Sequence, residues 1–147
     1  MNISVDKVVL PNKPLSNLEL IDAAEILKIP NFKGAFMRNE LVYRGKKKEC
    51  GILNLDDNDN LNDQYGTRTG GGTHWVAWWK DEKNKLYFDS YGLQPPTELI
   101  KYLAQPISYN THQVQKAGTV ICGHLCLYVL KLLSDGDSLQ NIIDNLI

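Results

Sequence analysis

The 147 residues of this chain carry a formal net charge of −1, with 43% hydrophobic and 22% charged residues. These proportions are typical of a globular protein, and the length suits a single domain at 1–147. The near-neutral charge gives no electrostatic reason to expect binding to nucleic acid or to an anionic membrane. The apolar run 125–133 is interrupted by Lys131 and is too short to span a membrane. The N-terminus lacks a basic region followed by a long apolar run, so we expect no secretory signal.

The chain has three cysteines, Cys50, Cys122 and Cys126. An odd and sparse set does not indicate a disulfide framework. Cys122 and Cys126 would lie one turn apart on one helix, which is poor geometry for a disulfide. The sequence therefore predicts reduced thiols and an intracellular setting.

The first half of the chain is predicted to contain a helix, a buried strand and a loop. Ser16 and Glu19 form a capping-box pattern, which predicts a helix over 17–28. The apolar run 49–55 indicates a buried strand, and the polar, glycine-rich run 56–72 indicates an exposed loop.

The second half alternates strand and helix patterns. In chain order we predict strands at 74–79 and 85–92 joined as a hairpin, a short helix from Pro95 and Pro96, a strand running into a loop at 106–115, a helix at about 122–133, and a last short helix capped by Ser138. This order predicts an α+β fold with a central sheet.

Two runs could suggest a metal site, and neither fits one. A calcium loop starting at Asp56 would need glycine at its sixth position and glutamate at its twelfth, where the chain has Leu61 and Thr67. Cys122 and His124 are near a second cysteine, but on a helix they point about 200° apart. The sequence therefore predicts no metal.

Cys122 begins the most hydrophobic helix and is followed by Gly123. Unpaired N–H groups and the dipole at a helix N-terminus favour thiolate over thiol, so Cys122 is a candidate nucleophile. Gly123 would allow a substrate backbone to approach closely. The simpler alternative is that Cys122 is a small apolar residue of the core.

A nucleophilic cysteine needs a base, and the chain has three histidines. His124 is excluded because it would point away from Cys122, and His112 lies in a segment of uncertain path. His74 opens an aromatic strand beside a glycine-rich loop, a position where catalytic groups are often displayed.

Asp89 ends the strand that pairs with the strand of His74. In a tight hairpin Asp89 would accept a hydrogen bond from His74 and so fix the tautomer of the imidazole. Asn54, or an acidic residue other than Asp89, could orient the histidine instead.

Three blocks of the sequence resemble those of the adenain family of adenovirus maturation proteases, which shares its fold group with the SUMO and ubiquitin-like-protein proteases. They are "GGTHWVAWW", "LYFDSYG" and "QVQKAGTVICGHLC". The resemblance covers most of residues 15–133 and implies a papain-like cysteine protease core, with a central mixed sheet flanked by helices and the nucleophile at a helix N-terminus. It implies His74, Asp89, Gln115 and Cys122 as catalytic residues, in the order of that group.

The resemblance also implies roles around the nucleophile. Gln115 lies seven residues before Cys122 and would donate to the oxyanion, with Gln113 as the alternative. Trp75 would form the wall of a narrow cleft, and we place Gly72 and Gly123 with it as substrate-binding residues. Such a cleft predicts small residues, glycine above all, before the cut.

The chain departs from adenain in being shorter and in lacking basic patches. We therefore expect no DNA requirement and no cofactor, and leave open a peptide activator. The compact form resembles the maturation proteases of virophages and related large DNA transposons. This implies a monomer that acts on viral capsid or precursor proteins in the cytoplasm or nucleus of an infected cell, and in the virion. The alternatives are a deconjugating protease for ubiquitin or SUMO-type modifiers, and an inactive binding module.

Overall fold

The computed structural model describes residues 2–41, 45–55 and 74–147. The predicted loop at 56–72, with its calcium-like run and Gly72, lies outside the described residues. The strands are β1 (Asn2–Val5), β2 (Val8–Pro11), β3 (Phe32–Met37), β4 (Glu49–Asn54), β5 (Trp75–Lys80), β6 (Lys85–Phe88) and β7 (Ser108–Tyr109). The helices are α1 (Asn17–Ile26), α2 (Thr97–Leu103), α3 (Cys122–Ser134) and α4 (Leu139–Leu146).

Five strands form a mixed sheet in the order β3-β4-β5-β6-β7, and β1 and β2 form a separate hairpin. The central pairs β4–β5 and β5–β6 are antiparallel, whereas β3 and β7 join the edges in parallel. In this register Asn54 lies opposite Trp75, and Ala77 lies opposite Phe88. The end of β5 that carries His74 therefore lies near the end of β6 that precedes Asp89.

The sheet is covered on both faces, which explains why β4 is buried along its whole length. On one face Ile52 and Ala77 pack with α1, α3 and α4. On the other face Val76 and Trp78 pack with α2. Alternate residues of β5 thus face the two layers, and α3 is held against the centre of the sheet.

Helix starts follow the predicted caps. Ser16 Oγ accepts a hydrogen bond from the Glu19 N–H, and Glu19 accepts one from the Ser16 N–H. Ser138 Oγ accepts from Asn141 N–H at the start of α4. Helix α1 ends at Ile26, before the predicted 28, because Lys28 adopts a positive φ of 57° that ends the helix.

The structure adds three strands that the sequence patterns did not predict, β1, β2 and β3. In the segment 106–115, predicted as a strand running into a loop, the strand is Ser108–Tyr109, which pairs with β6. It stops there because the side chain of Asn110 bonds the backbone of Asp89. In the described ranges no helix is long and apolar enough to cross a membrane.

Candidate active site

The β5–β6 hairpin brings His74 and Asp89 together. His74 Nε2 lies 2.7 Å from Asp89 Oδ1, and the Asp89 side chain is fully buried. The same oxygen accepts a hydrogen bond from the Tyr91 N–H at 2.8 Å. Because a carboxylate only accepts, Nε2 carries the proton of this contact, and Nδ1 is the ring nitrogen left for another partner.

Asn110 holds the segment that carries the acid. Its Oδ1 accepts from the Asp89 N–H at 3.1 Å, and its Nδ2 donates to the Asp89 carbonyl at 2.7 Å and to the His112 carbonyl at 3.2 Å. These bonds replace sheet pairing just beyond β7, so the acid is fixed by a side chain from a distant part of the sequence.

Cys122 is the first residue of α3, as predicted. Its Sγ accepts a hydrogen bond from the Trp75 N–H at 3.4 Å, and the residue is 5% exposed. Ile121 precedes it as an N-cap without a side-chain hydrogen bond, so no side chain caps the first N–H groups of the helix. This end of α3 therefore favours negative charge on a group bound there.

The other two thiols are unsuited to ionise. Burial and the nearby Glu49 charge raise the pKa of Cys50 to about 12. Burial, together with Cys122 and Asp89, raises the pKa of Cys126 well above its usual value. All three cysteines are free, and Cys122 interacts with the imidazole of His74.

His74 is tuned to hold a proton. Burial by itself would lower its pKa, but hydrogen bonding and charge interactions with Asp89 and Cys122 raise that pKa to about 9. The ring of Tyr91 stacks on the imidazole, with centroids 4.7 Å apart and planes 18° apart. The site thus combines a thiol at a helix start, a basic imidazole and a buried carboxylate.

Gln115 is buried next to this cluster. Its Oε1 accepts from the Ser90 hydroxyl at 2.5 Å, and its Nε2 donates to the Thr119 carbonyl at 2.9 Å. The alternative glutamine, Gln113, is exposed and donates to the Gln115 carbonyl at 2.8 Å. Of the two amides, the buried one has the fixed orientation that an oxyanion donor requires.

The other candidates for orienting or deprotonating groups lie elsewhere. His112 is exposed, and its imidazole has no hydrogen-bond contact with the cluster among the described residues. His124 is buried, and its Nε2 bonds the Pro11 carbonyl at 2.8 Å, away from Cys122. Asn54 lies in β4 opposite Trp75, and the side chain that accepts a hydrogen bond from the histidine is that of Asp89.

Trp75 and Gly123 have packing contacts. The Trp75 indole is buried and its Nε1 donates to the Leu15 carbonyl at 2.8 Å. A Cβ added at Gly123 would lie 3.2 Å from Leu20 and 3.3 Å from Trp75. The ring of Trp75 thus packs beneath α3, and its place in the wall of a narrow cleft stays a prediction. Contact of Trp75, Gly123 or Gly72 with a substrate stays a prediction.

Three residues around the cluster were not found from the sequence: Ser90, Tyr91 and Asn110. The first two directly follow the acid in "FDSYG". The signal that could have found them is this run of polar and aromatic residues immediately after a candidate acid. In the described ranges, no group of three or more His, Cys, Asp or Glu side chains could hold a metal ion.

No protein-family model matches this chain, and no curated protein sequence matches it. Solved structures share its fold, and among them are two of the ASFV pS273R protease. The first aligns with a TM-score of 0.59 at 18% identity, over 93% of this chain and 63% of the viral protease. The second, of the selenomethionine form, aligns with a TM-score of 0.56 at 19% identity, over 90% and 62%.

These likenesses confirm the predicted fold class, a mixed sheet flanked by helices as in a protease of viral origin. The chain spans less than two thirds of the length of the ASFV pS273R protease. A closer relation to adenain or to the virophage proteases stays a prediction.

Proposed function

We propose that this chain is a viral cysteine endopeptidase, with Cys122 as nucleophile, His74 as base and Asp89 as the orienting acid. The observation that carries the proposal is the 2.7 Å bond between His74 and buried Asp89, beside a thiol at the start of α3. The likeness to a viral protease supports it through the fold.

The first half of the reaction forms an acyl-enzyme. His74 Nδ1 takes the proton of Cys122, and the imidazolium is stabilised by Asp89 through Nε2. The thiolate attacks the peptide carbonyl carbon, and the carbonyl electron pair moves onto its oxygen. When the tetrahedral intermediate collapses, the C–N bond breaks and His74 gives its proton to the leaving amine.

The oxyanion would be stabilised by the backbone N–H of Cys122 and by Nε2 of Gln115, which has a second N–H besides the one directed at the Thr119 carbonyl. In the second half, His74 removes a proton from water, which attacks the thioester and releases the acid product. Cys122 leaves as thiolate, ready for another turnover.

The substrate we propose is a viral capsid or precursor protein, cut during virion maturation in the infected cell or in the virion. Cys122 is 5% exposed, so only a slim backbone has access to the sulfur. We therefore propose glycine or other small residues directly before the cut, with Gly72, Trp75 and Gly123 near the substrate. No metal, nucleic acid or other cofactor enters the mechanism, and we propose that the monomer is the active form.

The test is cleavage of a mixed peptide library, read by mass spectrometry. Cys122→Ala is expected to abolish all cuts, whereas the control Cys126→Ala, one turn further along α3, removes a thiol and leaves the cluster intact. Cuts after glycine-containing sequences by the wild type and by Cys126→Ala would support the proposal. Cuts that survive in Cys122→Ala would overturn it.

A second substrate series separates a maturation protease from a deconjugating enzyme. Folded ubiquitin and SUMO-type modifiers with a C-terminal extension are tested beside short peptides under the same conditions. Turnover of short peptides supports the maturation protease. Cys122-dependent turnover of the folded modifiers alone would replace that assignment with the deconjugating one.

A further inference from the structure

Ser90 joins the acid to the glutamine. It follows Asp89 directly, and its hydroxyl donates to Gln115 Oε1 at 2.5 Å. Its carbonyl accepts from the Gln115 N–H at 3.1 Å and from the Val114 N–H at 2.8 Å. One residue therefore holds both the backbone and the side chain of Gln115, 25 positions away.

These bonds determine which end of the Gln115 amide faces which neighbour. The Thr119 carbonyl can only accept, so the amide group beside it, at 2.9 Å, is Nε2. Oε1 is then the atom beside Ser90, which must donate its hydroxyl proton. With the two ends fixed, the second N–H of Nε2 has one direction in which to point.

Burial makes the hydroxyl hard to replace. Ser90 is 0% exposed and Gln115 is 1% exposed, so bulk water has no ready access to Oε1. Without the hydroxyl, Oε1 would be a buried acceptor without its donor, a state that proteins avoid. The amide would then turn away from its fixed orientation or pull in a water molecule.

We propose that Ser90 is a positioning residue that orients the Gln115 amide toward the oxyanion. This inference rests on the proposed function, because Gln115 acts on an oxyanion only if Cys122 attacks a carbonyl. It also links the two halves of the site, since a single dipeptide, Asp89–Ser90, sets the base through one side chain and the oxyanion donor through the next.

The main variant is Ser90→Ala, with Ser134→Ala as the matched control. Like Ser90, Ser134 donates its hydroxyl in a hydrogen bond. Its acceptor is the backbone carbonyl of Lys131, at the far end of α3. Ser90→Ala is expected to lower kcat for peptide cleavage about 10-fold with KM nearly unchanged, the effect of one lost neutral hydrogen bond. Ser134→Ala should retain the wild-type kcat. An unchanged kcat in Ser90→Ala would overturn the proposal.

Two further measurements distinguish a positioning role of Ser90 from a merely structural one. Alkylation of Cys122 by iodoacetamide needs the thiolate but no oxyanion, so its rate should be the same in Ser90→Ala as in the wild type. In a Gln115→Ala background, Ser90→Ala should cause no additional loss of kcat, because the residue it acts through is gone. Slower alkylation, or a full additional loss, would overturn the proposal.

Side-chain NMR gives a measurement that does not depend on turnover. The Gln115 Nε2 protons, assigned by their loss in Gln115→Ala, should exchange about 10-fold faster with solvent in Ser90→Ala. Should that variant not fold, Ser90→Cys keeps the volume with a weaker donor and is read in the same way. If the Gln115 Nε2 protons of the wild type exchange slowly but the protein shows no Cys122-dependent cleavage, the proposed function alone is refuted. If the exchange rate of these protons is the same in the Ser90 variant as in the wild type, the role of Ser90 is refuted.

Discussion

Replacing Asp89 by asparagine isolates the charge of the acid from its geometry. Oδ1 of Asp89 accepts from both His74 Nε2 and the Tyr91 N–H. The Tyr91 N–H would keep the asparagine oxygen in that place, so the His74 tautomer is retained. The change therefore removes a buried negative charge and places an amide NH2 where Oδ2 is buried without a hydrogen-bond partner among the described residues.

The size of the effect follows from the pKa of His74. Burial lowers the pKa of His74, but Asp89 and Cys122 together raise it from 6.5 to about 9. This rise corresponds to roughly 3 kcal/mol in favour of the imidazolium. Asp89 supplies part of this free energy, so Asp89→Asn is expected to lower kcat/KM by about 10–100-fold at about pH 8.

The assay is kcat/KM against pH for the wild type, Asp89→Asn and Asp22→Asn, a control on the exposed face of α1. In the wild type the alkaline limb, where His74 loses its proton, should lie near pH 9. In Asp89→Asn it should move down toward or below 6.5, the ordinary value, since burial then acts with less opposition. An alkaline limb that stays in place in Asp89→Asn would refute the reasoning.

Three further predictions concern the oxyanion, the stability and the sheet. Gln115→Ala should lower kcat by about 10²–10³ while leaving the iodoacetamide rate of Cys122 unchanged; equal losses in both would show that the glutamine acts on the thiol. Folding raises the pKa of His74, so protonated His74 stabilises the folded state. This stabilisation is complete below pH 6.5 and is lost as the pH rises through about 9. The free energy of unfolding of the wild type, measured in urea with a reducing agent, should therefore fall by about 1–3 kcal/mol over that window, and a flat profile would contradict this. Gly51→Ala should destabilise the fold by about 2–3 kcal/mol in the same assay. Gly51 in β4 lies opposite Trp78 in β5, and an added Cβ would overlap the Trp78 indole. Wild-type stability of this variant would refute the steric argument.

The local features of the fold were predictable because their causes are local. The caps at Ser16 and Ser138, the β5–β6 hairpin and the start of α3 all follow from patterns within a few residues. The order of the motifs also predicted the pairing of His74 with Asp89.

What sequence reasoning missed depends on distant partners. Strand β3 pairs in parallel with β4, and its "FKGAFM" pattern has no clear alternation to mark it. The roles of Ser90 and Asn110 exist only through bonds to residues 25 and 21 positions away. The burial of the Trp75 indole, whose Nε1 donates to the Leu15 carbonyl, likewise depends on a partner 60 positions away.

The separation of the proposed catalytic groups along the chain implies an order in which the proposed activity would be acquired during folding. His74 and Asp89 are 15 residues apart in one hairpin, whereas Cys122 reaches Trp75 across 47 residues. Since contacts close in sequence form before distant ones, the acid–base pair is expected to form before α3 docks on the sheet. A nascent or half-folded chain would then carry a thiol without its base, so proteolysis would begin only once the core has closed.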